Sequence, residues 1–176
     1  MNISLFLQMA ADACPDRPAL THDGTHYSYA QLFNAAKHAA QTFEAAGCKY
    51  VSLLDVSSPT VPIALMGAAM AGIPYVPLNY RLSEEQIVPL FDRISPAYLI
   101  SGQREDNYDF EGWVVQDSSD FLSETLAAEP GDYFKDVDPA EVAVQLFTSG
   151  TTGTPKAALL RHEHLVSYIL GSVEFM

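Results

Sequence analysis

The sequence predicts an α/β fold with a mostly parallel sheet flanked by helices. Short apolar segments alternate with segments of helical periodicity, which is typical of parallel sheets because each parallel connection must cross from one end of the sheet to the other. The stretch 56–80 contains no charged residue, as expected of a buried helix followed by an interior strand. With 176 residues, 48% of them hydrophobic, the chain is long enough for one such core.

The first half of the chain has clear local signals. "MNISLFLQMAADAC" predicts an amphipathic helix, and Asp23-Gly24 predicts a hairpin turn, since that pair tolerates positive φ. Apolar residues at helical spacing begin at Tyr29 and stop at Gly47, the expected C-cap. The elements predicted next are a strand at 50–54, a helix over 61–71 and a strand at 75–78.

In the second half, Ser83 with Gln86 forms a capping-box pattern for a helix that extends to about Arg93. The elements predicted after it are strands within 97–101, 113–116 and 142–147, a weaker helix near 121–127, a strand within 157–162 and a helix from Glu163. That last helix lacks a stop signal in its final turn apart from Gly171. We therefore expect 1–176 to be the front portion of a longer protein.

Charge and cysteine content exclude several classes. The formal net charge is −13 with nine Lys and Arg residues, which disfavours a nucleic-acid surface. The uncharged stretch 56–80 is interrupted by prolines and glycines, so we interpret it as buried chain and expect no membrane span. Cys14 and Cys48 have neither metal-site nor disulfide spacing, which fits a reducing cytoplasm. The cytoplasm is thus the predicted location.

One loop carries the chemistry. "LFTSGTTGTPKAALLRH" (146–162) concentrates glycines, hydroxyl side chains and one lysine between two apolar runs that we predict to be strands joined as a hairpin. Glycines let backbone amides approach an anion, hydroxyls add donors, and a lysine adds positive charge, so the expected ligand is a polyphosphate. The candidate binding residues are Thr148, Ser149, Gly150, Thr151, Thr152, Gly153, Thr154 and Lys156.

The loop is not a Walker A motif. That motif requires Gly-Lys-Ser/Thr and opens directly into a helix, whereas here Pro155 precedes the lysine and Ala157 follows it. A P-loop NTPase is therefore a poor second choice.

"FTSGTTGTPK" (147–156) resembles the phosphate-loop signature of the adenylate-forming (AMP-binding) enzymes, which include acyl-CoA synthetases, luciferases and the adenylation domains of peptide synthetases. Further segments resemble in order the pieces that precede this loop in acyl-CoA synthetases: "CPDRPAL", "YSYAQL", "AMAGIPYVPLNYRLSEEQI" and "AYLIS". The resemblance covers nearly the full chain. Two segments depart from the usual pattern, Ala157-Ala158 in place of Gly-Val and "DVSSPTV" in place of a Leu-Pro-Asn-Ser-Pro pattern.

The resemblance implies an AMP-forming acid–thiol ligase. Its substrates would be a carboxylic acid, ATP with Mg²⁺, and coenzyme A, and the loop residues would hold the β- and γ-phosphates. On this basis the chain is expected to be the N-terminal subdomain fragment of an acyl-CoA synthetase that acts as a fatty-acid–CoA ligase. The alternatives are an adenylation domain that loads an amino or aryl acid onto a carrier protein, or a non-catalytic truncated α/β module.

The resemblance also limits what these residues do alone. The family's adenine, ribose and adenylation-lysine motifs are not found in the sequence, so we assign no catalytic and no metal-binding residue and expect this segment alone to be inactive. CoA would be bound mainly by other parts of the enzyme. His162 matches a histidine common in the family and is a weak site candidate, whereas Asn79 and Arg81 are expected to fix a strand-to-helix connection.

Overall fold

The computed structural model describes residues 1–102, 111–129, 131–133, 135–148 and 155–173. Its elements up to the middle of the chain are α1 (Ser4–Ala13), β1 (Pro18–His22), β2 (Thr25–Ser28), α2 (Tyr29–Ala46), β3 (Tyr50–Leu54), α3 (Thr60–Ala71), β4 (Tyr75–Pro77) and α4 (Glu84–Phe91). A single 3₁₀ turn, Asp92–Ile94, follows α4. The remaining elements are β5 (Ala97–Ser101), β6 (Val114–Asp117), α5 (Ser118–Ala127), β7 (Val142–Thr148), β8 (Lys156–Arg161) and α6 (His162–Ser172).

Among the described residues, six strands form one sheet in the order β6-β5-β3-β4-β7-β8, and β1 pairs with β2 as a separate hairpin. Every neighbouring pair from β6 to β7 is parallel, whereas β7 and β8 are antiparallel. The predicted α/β fold with a mostly parallel sheet is confirmed, and so is the hairpin connection between β7 and β8.

Helices cover both faces of the sheet. Along β3, Val51 and Leu53 contribute to one apolar cluster, which also contains residues of α2, α3 and α5, while Leu54 contributes to a second cluster with residues of α4. This alternation follows from the two-residue period of a strand, which directs successive side chains to opposite faces. The uncharged stretch 56–80 is accounted for by α3 and β4. None of the described helices has the length and apolarity that a bilayer crossing requires.

The structure confirms several ends of helices and strands that local sequence signals predicted. Asp23 and Gly24 have φ values of 47° and 76°, as the predicted turn requires, and Gly47 ends α2 in the left-handed region with φ 62°. The Gln86 side chain accepts a hydrogen bond of 3.1 Å from the Ser83 amide, the Gln half of the predicted capping box.

Helix α5 begins earlier than predicted. The sequence predicts its start near Phe121, but the helix begins at Ser118 because the Asp117 carboxylate caps it. This carboxylate accepts hydrogen bonds from the amides of Ser119 at 2.8 Å and Asp120 at 3.2 Å. The pKa of Asp117 is lowered mainly by a hydrogen bond from the Ser119 hydroxyl, and the two amide hydrogen bonds lower it further.

Helices α2 and α3 pack at very close range. Their contact consists of small residues, and a Cβ added to Gly67 would lie 2.8 Å from the Ala39 Cβ and 3.0 Å from the Ala36 carbonyl oxygen. The buried α2 residues next to Gly67 are Ala36, Ala39 and Ala40. Because one of the obstructing atoms belongs to the backbone, a larger residue at Gly67 requires the helices to separate.

We predict that Gly67→Ala lowers the free energy of unfolding by about 1–3 kcal/mol, since the added methyl group overpacks this contact. Chemical denaturation with a helix-sensitive signal measures the change. Gly171→Ala in α6 is the matched control, because a Cβ there meets no atom within 4 Å and alanine is the better helix former. Equal stability of the two variants would contradict the close contact.

His162 lies inside the core at the start of α6. It has no exposed surface, and its Nδ1 accepts a hydrogen bond of 3.4 Å from the Ile3 amide. An accepting Nδ1 requires the neutral ring with its proton on Nε2. Burial, together with the positive N-terminus, lowers the pKa of His162 from 6.5 to about 4. Charging the ring would remove the acceptor for the Ile3 amide, so the folded state favours the neutral form.

This pKa difference predicts a loss of stability in acid. Between pH 6.5 and about 4 the unfolded state binds the extra proton and the folded state does not, so the contribution of His162 is complete above pH 6.5 and falls as the pH decreases towards 4. We expect a loss of up to about 3 kcal/mol from this residue, measured as the free energy of unfolding against pH. His162→Gln should remove this component, while His164→Gln at an exposed position should retain it. An unchanged pH profile in His162→Gln would refute the assignment.

Candidate functional site

The loop that was predicted to bind polyphosphate begins and ends at the carboxyl edge of the sheet. Strands β5, β3, β4 and β7 are parallel, so their carboxyl ends share that edge, and β8 begins there because it runs in the opposite direction. In open α/β sheets, ligands bind in the crevice outside the carboxyl ends of the strands. The fold therefore places the loop where ligands of such sheets usually bind.

The two predicted site residues that the structure describes lie opposite each other across this hairpin. Thr148 ends β7, Lys156 begins β8, and the two residues are paired in the antiparallel register. The Thr148 hydroxyl donates a hydrogen bond of 3.3 Å to the Lys156 carbonyl oxygen. Both residues are exposed, and none of the ion pairs among the described residues involves Lys156. Within the described part of the chain, Lys156 is therefore an exposed cation without an ion-pair partner.

The other predicted site residues lie outside the described residues. These residues are Ser149, Gly150, Thr151, Thr152, Gly153 and Thr154. Their role in phosphate binding stays a prediction, which rests on their identity and on the position of the two ends of the loop.

Sequence reasoning missed Arg93. This residue lies in the 3₁₀ turn after α4, and its Nη1 donates a hydrogen bond of 2.6 Å to the Pro155 carbonyl oxygen. Its guanidinium carbon also lies 4.9 Å from the centroid of the Phe147 ring. Arg93 and Pro155 are 62 positions apart, and no local pattern in the sequence joins them.

The remaining sequence candidates have structural positions. Asn79 accepts a hydrogen bond of 3.0 Å from the Arg81 amide, so it fixes the connection between β4 and α4 as predicted. His162 was a weak site candidate, but its burial in the core assigns it a structural role. The part of the chain that the structure describes holds no group of three His, Cys, Asp or Glu side chains that could bind a metal.

A cleft of about 280 Å³ lies elsewhere on the molecule. It is bordered by α1, by single residues of α2 and α3 and by the segment 135–139, and it shares no lining residue with β7 or β8. The cleft is therefore separate from the candidate site, which consists of an exposed hairpin end instead of an enclosed cavity.

Comparisons with known proteins agree with the fold and with the loop motif. The profile of the AMP-binding enzyme family matches residues 7–175. Surfactin synthase subunit 3 of Bacillus subtilis (strain 168) is 28% identical over 172 residues, which cover 93% of this chain and 13% of that protein. The D-alanine–D-alanyl carrier protein ligase of Staphylococcus aureus is 26% identical over 164 residues, which cover 92% of this chain and 32% of that protein.

Solved structures show the same fold. The N-terminal subdomain of Klebsiella oxytoca NpsA, in complex with 3-hydroxybenzoyl-AMSN, has a TM-score of 0.76 at 24% identity and covers 92% of this chain and 41% of that one. VinN in complex with L-aspartate has a TM-score of 0.84 at 19% identity and covers 97% of this chain and 48% of that one.

This chain spans about an eighth to a third of the length of the curated relatives named above. Within that span the family profile covers nearly every residue of this chain. The chain accordingly belongs to the AMP-binding enzyme family, whose members form adenylates.

Proposed function

We propose that this chain is the N-terminal subdomain of a longer adenylate-forming ligase that activates an amino or aryl acid with ATP and transfers it to a carrier protein. The observation that carries the proposal is the β7–β8 hairpin. It holds Thr148 and Lys156, the second and the last residue of the segment "FTSGTTGTPK", at the carboxyl edge of the sheet. In this proposal the loop binds the β- and γ-phosphates of ATP.

The residues present fit a triphosphate. The Lys156 ammonium is exposed, is not engaged in an ion pair within the described residues, and follows a segment rich in hydroxyl and amide donors. ATP supplies the α-phosphate that the carboxylate attacks, with pyrophosphate as the leaving group. Fixed donors promote such a displacement by positioning the phosphates and neutralising charge on the departing pyrophosphate. Mg²⁺ would accompany the ATP, and we assign no residue of this chain to it.

The choice of acid and acceptor differs from the first expectation. The sequence favours a fatty-acid–CoA ligase, but none of the relatives named above is described as an acyl-CoA synthetase. One of them, from Staphylococcus aureus, is described as a ligase for the D-alanyl carrier protein. This name supports the carrier-protein alternative. CoA is the second candidate acceptor, which the segment "PLNYRLSEEQI" favours. The predicted location in the cytoplasm stays a prediction.

In the longer protein, Lys156→Ala should reduce adenylate formation at least tenfold, because the terminal phosphates lose a positive charge. Carboxylate-dependent exchange of labelled pyrophosphate into ATP measures this step. Lys49→Ala is the control, since Lys49 is an exposed lysine at the opposite, amino edge of the sheet. Undiminished exchange in Lys156→Ala would contradict the role of this side chain.

The same exchange assay tests the choice of acid, and transfer of the labelled acyl group to a carrier protein or to CoA tests the choice of acceptor. We expect amino or aryl acids to support pyrophosphate exchange in the longer protein, and a carrier protein with its phosphopantetheine arm to accept the acyl group. Exchange that depends on fatty acids, with CoA as the efficient acceptor, would instead show that the longer protein is a fatty-acid–CoA ligase. If none of the acids supports pyrophosphate exchange in the longer protein, the non-catalytic alternative is correct.

A further inference from the structure

Arg93 connects the two ends of the polyphosphate loop. On the β7 side, its guanidinium carbon lies 4.9 Å from the centroid of the Phe147 ring. On the β8 side, its Nη1 donates a 2.6 Å hydrogen bond to the carbonyl oxygen of Pro155. The guanidinium group suits this double contact because its face can stack on an aromatic ring while its edge donates hydrogen bonds. A single side chain from outside the hairpin therefore contacts both ends of the loop.

The first of these contacts is anchored in the core. The Phe147 ring packs against the second apolar cluster, which contains Leu90, Phe91 and Ile94 from α4 and the 3₁₀ turn that also carries Arg93. The cluster therefore fixes the Phe147 ring, and Arg93, from the turn that contributes Ile94 to the same cluster, links that ring to Pro155.

The second contact uses the one backbone hydrogen-bonding group that proline retains, its carbonyl oxygen. Pro155 has no amide hydrogen, so it cannot donate a hydrogen bond to the β7 strand. Its carbonyl oxygen is the backbone group through which it can be held, and Arg93 binds that oxygen. Because Pro155 directly precedes Lys156, fixing this carbonyl also fixes the direction in which β8 begins and the origin of the Lys156 side chain.

We propose that Arg93 is a positioning residue for ATP. By fixing Phe147 and Pro155 it holds the loop ends, and with them Thr148 and Lys156, in the arrangement that receives the terminal phosphates. This inference rests on the proposed function of the loop. It assigns to α4 and its 3₁₀ turn a role in nucleotide affinity, although Arg93 itself contacts protein groups in the structure.

The test compares Arg93→Ala and Arg93→Lys with a matched control, Arg81→Ala. Arg81 is also an exposed arginine beside an aromatic ring, 5.3 Å from the Tyr80 centroid, but its described contacts do not reach β7 or β8. The first measurement is amide hydrogen exchange at residues 147, 148 and 156 in the nucleotide-free protein. We expect several-fold faster exchange in Arg93→Ala, a smaller increase in Arg93→Lys and no change in Arg81→Ala.

The second measurement is steady-state pyrophosphate exchange in the longer protein. Arg93→Ala should raise the KM for ATP roughly fivefold to tenfold, less than the loss of a charged hydrogen bond to the ligand itself would cause, because Arg93 acts through protein groups. The KM for the carboxylic acid and the melting temperature should stay unchanged, which a general loss of folding would not allow.

The outcomes separate the two proposals. Unchanged amide exchange in Arg93→Ala would overturn the inference, and so would faster exchange with an unchanged KM for ATP. If the wild-type protein shows no ATP-dependent activity with any acid while Arg93→Ala speeds amide exchange, the proposed function fails, and the nucleotide part of the inference fails with it.

Discussion

The antiparallel pairing of β7 with β8 is the constraint on which the rest of the site depends. All the other neighbouring strands of the main sheet are parallel, so their connections cross from one edge to the other, whereas the β7–β8 connection begins and ends at the carboxyl edge. This reversal places a donor-rich loop at the usual ligand edge and brings Thr148 opposite Lys156. If β8 were instead parallel to β7, the connection would have to cross to the amino ends of the strands, and Lys156 would begin its strand far from Thr148.

The two faces of the sheet have different tasks. One face is covered by α2, α3 and α5, and its close alanine and glycine packing, together with the neutral His162, holds the chain together. The other face is covered by α4, whose cluster receives Phe147 and ends in the turn that carries Arg93. Residues of this second cluster therefore contact Phe147 at the start of the loop. A substitution in this cluster should change nucleotide affinity as well as stability.

Much of the fold could be predicted from the sequence because the deciding signals are local. The Asp23-Gly24 turn, the Gly47 cap and the hairpin around "TSGTTGTPK" each depend on residues within a few positions of one another. Strand order depends on long-range pairing, and the contact between Arg93 and Pro155 spans 62 positions, so neither could be predicted. His162 resembled a site residue because a histidine's chemistry is visible in sequence and its burial is not. The early start of α5 was predictable in principle, since Asp117 is a favoured N-cap residue.

Family membership fixes the class of chemistry, and the position of the two described loop ends supports the proposal that this chain contributes the phosphate-binding hairpin. We propose that the terminal phosphates of ATP bind at the β7–β8 hairpin. A crystal structure of the longer protein with ATP, or with a non-hydrolysable analogue, would locate these phosphates. We expect the β- and γ-phosphates to lie against the amides of residues 149–153 and within hydrogen-bonding distance of the Lys156 ammonium group. A triphosphate bound in full occupancy at another edge of the sheet would contradict it.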